Sequence, residues 1–293
     1  MFKILVLGGN GFVGSLVAKN AAEGGALVVA VSRRGELTED GSPIEDNKEV
    51  VASAEEGGNA GAKPVSETSR GVITHVKANA ADLTALTKVF TDYGPFDAVV
   101  HCIGVLLDSD SGLGKLNYIA SGSRSQPDDT STYDSVTRQT AFNAIDLTAK
   151  MMKDMHAAQP TGGPRQCPFI FVSAAEAGWT IQSPVGFLER YLVAKRAVER
   201  KLMHTYITAY LRPVIMRPSI IWTTRRPVEA VTGALSSIGH YVGNFIGIPF
   251  LDKPVFLETL VRAILCSIDD YKVDGIKRFP EIEALGAAYR PGA

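Results

Sequence analysis

A glycine-rich turn near the start of the chain constrains its fold more than any other feature. Residues 3–20 read KILVLGGNGFVGSLVAKN, in which an apolar run is followed by closely spaced glycines and then by a helical segment. Glycine permits a tight turn, and its missing side chain lets the strand, the turn and the helix approach closely. The stretch therefore predicts a strand over Lys3–Leu7 that leads through this turn into a helix over Gly11–Glu23.

Strand-like and helical segments alternate through the first two thirds of the chain. Several of the strands are continuous apolar runs, which is typical of parallel strands covered on both faces. The alternation predicts an α/β fold, a doubly wound parallel sheet of the Rossmann type. The predicted strands are Lys3–Leu7, Leu27–Ser32, Val72–Val76, Ala98–Ile103, Phe169–Ser173 and Thr208–Met216, and the predicted helices are Gly11–Glu23, Leu83–Tyr93, Tyr133–Ala158 and Glu189–His204.

Two polar stretches interrupt this alternation. Residues 36–70 are acidic and rich in glycine and serine, and residues 107–131 are polar and follow the fourth strand. We predict both as insertions, the first of them flexible. Ligands bind beyond the carboxyl ends of the strands in open α/β sheets, so the second insertion is either a lid over the site or a surface loop.

Composition excludes several classes of function. The net charge is −1, from 30 basic and 31 acidic residues, so there is no electrostatic case for a nucleic-acid partner. The 3 cysteines form no CxxC pair and the 5 histidines show no ligand spacing, so neither a disulfide framework nor a metal site is predicted. We also expect no secretory signal, because the sequence opens almost at once on a strand, and no clear transit peptide, because no Arg-rich, acid-poor segment is visible. No transmembrane segment is expected, because polar residues interrupt the longest apolar stretch, residues 230–251.

The glycine turn and the end of the second strand predict a dinucleotide site. A helix that begins at such a turn directs its free N–H groups at phosphates. An NAD site usually carries an acidic residue at the end of the second strand, but this chain has Ser32, Arg33 and Arg34 there. Two arginines suit the 2′-phosphate of NADP, and the alternative is a pair of solvated loop arginines. We therefore predict NADP(H) rather than NAD(H) as the cofactor.

Further cofactor contacts are expected at the carboxyl ends of other strands. Asp82 follows the third strand, where it either faces the adenine or caps the next helix. Ile103 and Gly104 end the fourth strand, where the backbone would pass close to the cofactor. The full predicted cofactor set is Gly8, Gly9, Asn10, Gly11, Phe12, Val13, Gly14, Ser32, Arg33, Arg34, Asp82, Leu83, Ile103, Gly104, Arg217 and Pro218.

A tyrosine and a lysine are the candidate proton-transfer groups. Tyr191 and Lys195 lie on one face of a predicted helix, ERYLVAKRAVERKL, although such a spacing also arises by chance. A neighbouring ammonium favours the phenolate and is expected to lower the pKa of the tyrosine. Such a pair can exchange a proton with a carbonyl or an alcohol while a nicotinamide exchanges a hydride. Ser173, at the end of the fifth strand, is the third candidate because it could hydrogen-bond the reacting oxygen.

Taken together, these segments resemble the short-chain dehydrogenase/reductase superfamily in its extended or atypical branch. The chain is most similar to the NAD(P)-binding, epimerase-like proteins of mitochondria that are linked to coenzyme Q biosynthesis. It is more distantly similar to the NADPH-binding accessory subunit of respiratory complex I, which holds its cofactor structurally. The matching segments are GGNGFVG at 8–14, SRR at 32–34, ADL at 81–83, VVHCIG at 99–104, FVSA at 171–174, YLVAK at 191–195 and MRPSIIW at 216–222.

The resemblance implies an NAD(P)-binding domain over residues 1–222 and a small C-terminal lobe over residues 223–293, packed on the same domain. It implies an oxidoreductase of mitochondrial quinone metabolism with a small, apolar or quinone-like substrate. The alternative is an accessory or assembly subunit that binds NADPH without turnover, in a mitochondrial complex or at the inner-membrane surface. The resemblance implies a mitochondrial location, with the cytoplasm as the alternative. Ser173 lies further from Tyr191 than is usual in this superfamily, which leaves its role open.

Overall fold

The computed structural model describes residues 2–35, 71–105, 132–158, 165–180, 182, 186–224 and 252–290. The two predicted insertions, 36–70 and 107–131, lie outside the described residues. The apolar stretch 230–251 lies outside them as well.

The described residues include nine strands, seven of which form a central parallel sheet. The strands are β1 Lys3–Leu7, β2 Leu27–Ser32, β3 Ile73–Lys77, β4 Ala98–His101, β5 Cys167–Val172, β6 Leu211–Met216, β7 Ile221–Trp222, β8 Val255–Phe256 and β9 Gly275–Lys277. The order in the main sheet is β3-β2-β1-β4-β5-β6-β9, and β7 and β8 form a separate parallel pair. The chain reverses its direction of winding between β1 and β4, which is the point where ligands bind in such sheets. This order confirms the predicted doubly wound α/β fold.

Helices cover both faces of the sheet. They are α1 Gly14–Glu23, α2 Leu83–Tyr93, α3 Thr140–Ala158, α4 Gly186–Leu202, α5 Thr205–Thr208, α6 Leu257–Asp269 and α7 Phe279–Ala288. A π-helical segment, Asp134–Gln139, leads into α3, and a 3₁₀ turn, Ala175–Gly178, follows β5. Alternate residues of β1 face opposite sides, so Ile4 and Val6 join one buried cluster with α1 and α6 while Leu5 and Leu7 join another with α2, α3 and α4.

Several element boundaries differ from those predicted, and the largest shifts, of three residues, include the starts of α1 and β6. Helix α1 begins at Gly14 rather than Gly11, because the residues between them form the turn. The predicted strand Thr208–Met216 was wrong at its start. There, α5 ends at Thr208 and β6 begins only at Leu211.

The last strand of the main sheet comes from the region predicted as a C-terminal lobe. Strand β9 pairs with β6 in register, with Val214 opposite Gly275 and Met216 opposite Lys277. Helix α6 joins α1 in the same buried cluster. The domain boundary at residue 222 stays a prediction, and the described residues beyond it extend the same sheet and core.

A buried arginine ties β6 to the end of α6. Arg212 is 7% exposed, and its guanidinium donates to the backbone carbonyls of Ser267 at 2.9 Å, Ile268 at 3.3 Å and Val273. We expect Arg212→Leu to lower the free energy of unfolding by about 2–4 kcal/mol, because several buried carbonyls lose a charged donor. Urea denaturation of the full chain measures this loss.

Arg290 provides a matched control for this prediction. It is exposed and also donates to carbonyls at a helix end, those of Ala287 at 2.8 Å and Tyr289 at 3.0 Å. Water replaces its hydrogen bonds, so Arg290→Leu is expected to change the free energy of unfolding by less than about 0.5 kcal/mol. Equal losses of unfolding free energy in Arg212→Leu and Arg290→Leu would contradict the prediction that the hydrogen bonds of Arg212 matter more because they are buried.

Candidate functional site

The glycine turn connects the carboxyl end of β1 to α1. Gly8 has a φ of +86°, in the left-handed region that favours glycine. The N–H groups of Gly8 and Gly9 both donate to the carbonyl of Val31, at 2.9 and 3.1 Å, and the N–H of Gly11 donates to the carbonyl of Gly8 at 2.8 Å. These bonds hold the turn against the end of β2.

Two glycines of the turn are required by close packing. A Cβ on Gly14 would lie 2.2 Å from the carbonyl oxygen of Gly8, and one on Gly9 would lie 2.7 Å from the Cβ of Ala30. Val13, which precedes α1, makes no side-chain capping bond, and the first turn of the helix carries no acidic residue. The positive end of α1 is therefore suited to an anionic group such as a phosphate.

Asn10 joins the glycine turn to the end of β2. Its Nδ2 donates to Ser32 Oγ at 2.8 Å and to the carbonyl of Gly35, and Ser32 Oγ donates to the same carbonyl at 3.0 Å. Arg33 and Arg34 lie between these two bonded residues, the first exposed and the second half-buried. The structure thus brings the predicted 2′-phosphate arginines next to the glycine turn.

Asp82 caps helix α2, one of the two roles predicted for it. Its Oδ1 accepts hydrogen bonds from the N–H groups of Thr84 at 2.8 Å and Ala85 at 3.2 Å. Leu83 follows it and is 53% exposed. A contact between these residues and an adenine stays a prediction.

Asn143 on α3 holds the loop before α2 and was missed by sequence reasoning. Its side chain is buried, and its Nδ2 donates to the carbonyls of Ala80 at 3.0 Å and Ala81 at 2.9 Å. Gln139 Nε2 donates to its Oδ1 at 2.8 Å. The only available signal was a polar residue within the apolar run of this helix.

The segment after β4 connects the glycine turn to the predicted proton-transfer pair. A Cβ on Gly8 would lie 3.1 Å from the backbone of Cys102 and Ile103. A Cβ on Gly104 would lie 3.4 Å from Lys195 Nζ. The predicted cofactor turn and the predicted lysine therefore lie on either side of residues 102–104.

Tyr191 and Lys195 share one face of α4. Lys195 is 3% exposed, and its Nζ donates to the carbonyl of Val172 at 2.8 Å. The same Nζ lies 4.8 Å from the ring centroid of Phe171 and 5.5 Å from that of Tyr191. The half-buried Tyr191 packs edge-on against Tyr133, with ring centroids 5.6 Å apart.

Burial shifts the pKa values of both residues. Desolvation lowers the pKa of Lys195 to about 8, an effect that the charge of Glu199 opposes. Desolvation raises the pKa of Tyr191, with smaller contributions from Glu176 and Tyr133. The predicted lowering of the tyrosine pKa was wrong for this arrangement, because desolvation raises that pKa instead. Tyr191 therefore keeps its proton at neutral pH and is suited to act as a proton donor.

Ser173 and Arg217 both bind a buried carboxylate that sequence reasoning missed. Ser173 Oγ donates to Glu199 Oε1 at 2.6 Å. Arg217 donates from Nε to Oε1 at 3.0 Å and from Nη2 to Oε2 at 2.5 Å. The Ser173 hydroxyl donates its hydrogen bond to this carboxylate, so a hydrogen bond from Ser173 to a reacting oxygen stays a prediction. A contact between Arg217 and the cofactor also stays a prediction. Pro218 accepts at its carbonyl from the N–H of Ala175 at 2.8 Å.

A neutral histidine lies beneath the site at the end of β4. His101 is fully buried, its Nε2 is 2.9 Å from Thr140 Oγ1, and burial lowers its pKa to about 3. No group of three or more metal-ligating side chains occurs in the described part of the chain. None of the described helices is long and apolar enough to cross a membrane.

Comparison with known families agrees with this architecture. Residues 4–122 match the NAD dependent epimerase/dehydratase family, which agrees with the predicted resemblance at the level of the dehydrogenase/reductase superfamily. A protein of Saccharomyces cerevisiae named MIOREX complex component 2 is 24% identical over 261 residues, which cover 83% of this chain and 81% of that protein.

Solved structures agree with the fold. A short-chain dehydrogenase from Streptomyces avermitilis superposes with a TM-score of 0.55 at 15% identity, over 98% of this chain and 91% of that one. The Bordetella bronchiseptica enzyme WbmH, solved in complex with NAD⁺, superposes with a TM-score of 0.52 at 19% identity, over 95% and 75% of the two chains. These likenesses confirm the Rossmann-type fold.

Proposed function

We propose that this chain is an NADP(H)-dependent oxidoreductase of the short-chain dehydrogenase/reductase type. The main support for this proposal is that the glycine turn and Lys195 both lie against residues 102–104. A cofactor turn alone is compatible with a structural cofactor. A buried lysine beside a tyrosine at the same end of the sheet supports proton transfer as well.

Each part of the site has a proposed task in cofactor binding. The glycine turn and the uncapped start of α1 would hold the pyrophosphate. Arg33 and Arg34 would bind the 2′-phosphate. The backbone of residues 103–104 and the pair Tyr191 and Lys195 would line the nicotinamide end.

The proposed chemistry is reduction of a carbonyl group. The reduced nicotinamide, when bound, supplies a hydride to the carbonyl carbon. The Tyr191 hydroxyl gives its proton to the carbonyl oxygen, so that C=O becomes CH–OH. The Lys195 ammonium favours the phenolate that remains on Tyr191. The raised pKa of Tyr191 supports this direction, because the residue is protonated before the reaction.

We propose a small, apolar or quinone-like substrate and a role in mitochondrial ubiquinone metabolism. The support is the resemblance to mitochondrial epimerase-like proteins linked to coenzyme Q biosynthesis. The same resemblance is the basis for a mitochondrial location.

A second candidate is an accessory or assembly subunit that binds NADPH without turnover. It is favoured by the similarity to a yeast protein that is named as a component of a complex. The Tyr191 and Lys195 pair argues against it, because a structural cofactor has no need of a proton donor.

One experiment separates the two candidates. The nucleotide that co-purifies with the full chain is identified by mass spectrometry, and NADPH oxidation is then followed with short-chain quinones and quinone precursors. Substrate-dependent oxidation supports the oxidoreductase. Tightly bound NADPH that none of these compounds oxidises, in a protein that co-purifies with a large membrane complex, would support the accessory subunit instead.

The preference for NADPH has its own test. Arg33→Ala combined with Arg34→Ala is expected to weaken NADPH binding about 30-fold and NADH binding less than about three-fold, because only NADPH carries the 2′-phosphate. Fluorescence titration measures both dissociation constants. Arg290→Ala, which removes an exposed arginine at a helix end, is the control and should change neither. Equal losses for the two cofactors would refute the preference.

A further inference from the structure

Helix α4 carries a third residue on the face of the proton-transfer pair. Glu199 lies four residues beyond Lys195, as Lys195 lies four beyond Tyr191, so the three follow one another along one face. Glu199 is 6% exposed. A buried carboxylate is costly unless it is paired and hydrogen-bonded, and Glu199 accepts three hydrogen bonds, one from Ser173 and two from Arg217.

These partners tie α4 to the ends of two neighbouring strands. Ser173 follows β5, and the carbonyl of Val172, one residue earlier, accepts the bond from Lys195 Nζ. Arg217 follows β6, and its N–H donates to the carbonyl of Lys277 in β9 at 2.8 Å. The carboxylate therefore anchors the helix beside the point where Lys195 is itself anchored.

Replacing a buried ion pair by apolar residues is often neutral for stability, so a stability role alone explains this network poorly. We propose that Glu199 is a positioning residue, which fixes Lys195 and Tyr191 against the carboxyl ends of β5 and β6 and keeps Lys195 charged. This inference rests on the proposed function, because it assigns Glu199 to the same reaction.

The charged groups around Lys195 determine the direction in which its pKa is expected to move when the Glu199 charge is removed. Glu199 on the same helix raises the pKa of Lys195. His101 and Cys102 lie on the β4 side, and burial keeps both neutral at pH 7 by lowering the pKa of the histidine and raising that of the thiol. The ion pair with Arg217 partly neutralises the Glu199 charge. Removal of the Glu199 charge therefore moves the titration of Lys195 to lower pH.

The test is an NMR titration of the full chain labelled with ¹³C at lysine Cε. The Lys195 signal is assigned by its loss in Lys195→Arg. In Glu199→Gln we expect the Lys195 midpoint to fall by about half a pH unit or more. Glu189→Gln is the matched control, because Glu189 also binds an arginine of α4, Arg196 at 2.9 Å, and should leave the midpoint unchanged. An unchanged midpoint in folded Glu199→Gln would overturn the proposal.

Turnover provides a second readout. We expect Glu199→Gln to lower kcat roughly 10- to 100-fold and to leave the KM for NADPH nearly unchanged, because the reacting groups are displaced while the cofactor turn is intact. The basic limb of the pH profile should move in the same direction as the NMR midpoint. Wild-type protein without turnover would overturn the proposed function, whereas the NMR titration would still show whether Glu199 controls the charge of Lys195.

If Glu199→Gln does not fold, a second variant tests the same proposal. Arg217→Gln leaves more of the Glu199 charge acting on Lys195, so the Lys195 midpoint is expected to rise instead of fall. A midpoint that is unchanged or lower in this variant would also overturn the proposal.

Discussion

Replacement of Tyr191 by phenylalanine is expected to lower NADPH-dependent turnover at least about 100-fold while NADPH binding changes less than about three-fold. The substitution keeps the ring that packs against Tyr133 and removes only the hydroxyl that would donate the proton. Binding is expected to persist because the glycine turn is untouched. Steady-state oxidation of NADPH with the best quinone or carbonyl substrate, and fluorescence titration of NADPH, measure the two quantities on the same preparation.

Tyr206 offers a matched control for this substitution. It also packs edge-on against a second tyrosine, Tyr210, with ring centroids 5.6 Å apart, but it is 53% exposed and lies on α5. Tyr206→Phe should therefore leave both turnover and binding unchanged. Full turnover in Tyr191→Phe would contradict the assignment of the proton donor.

Gly14→Ala is expected to weaken the binding of NADPH and NADH alike, by at least about 100-fold. The added Cβ would lie 2.2 Å from the carbonyl oxygen of Gly8, so the turn and the start of α1 must separate. The phosphate groups then lose the backbone N–H groups that would bind them. Titration of both dinucleotides against the variant measures the loss, with circular dichroism to confirm that the protein is folded.

Gly24 lies at the other end of the same helix and provides the control. A Cβ there would lie 3.4 Å from the carbonyl of Ala21, and its φ of −79° suits any residue. Gly24→Ala should bind both cofactors like the wild type. Undiminished binding in Gly14→Ala would show that the turn does not hold the dinucleotide.

Local patterns predicted much of the fold because each depends on neighbouring residues. The apolar runs of β1 and β2 and the amphipathic helix α2 have the predicted bounds. Strand β9 was missed because it is a three-residue edge strand that has no apolar run, and its central Ile276 is 39% exposed. Its pairing with β6 is a contact between distant parts of the chain, which periodicity does not report.

The sequence predicted those parts of the candidate site whose residues are close in space because they are close along the chain. Tyr191 and Lys195 share a face because they belong to one helix, and the glycine turn is a local motif. The partners of Ser173 and Arg217 were not predictable, because Glu199 becomes their neighbour only when α4 packs on the sheet. The pKa of Tyr191 also depends on that packing, since burial removes the water that would stabilise the phenolate.

Dinucleotide binding by the glycine turn underlies every other role proposed for this site. Isothermal titration of NADPH and of NADH into the purified full chain, after removal of any bound nucleotide, measures it directly. We expect saturable binding at one site per chain, tighter for NADPH than for NADH. If neither dinucleotide binds to the folded protein, the glycine turn is not a cofactor site.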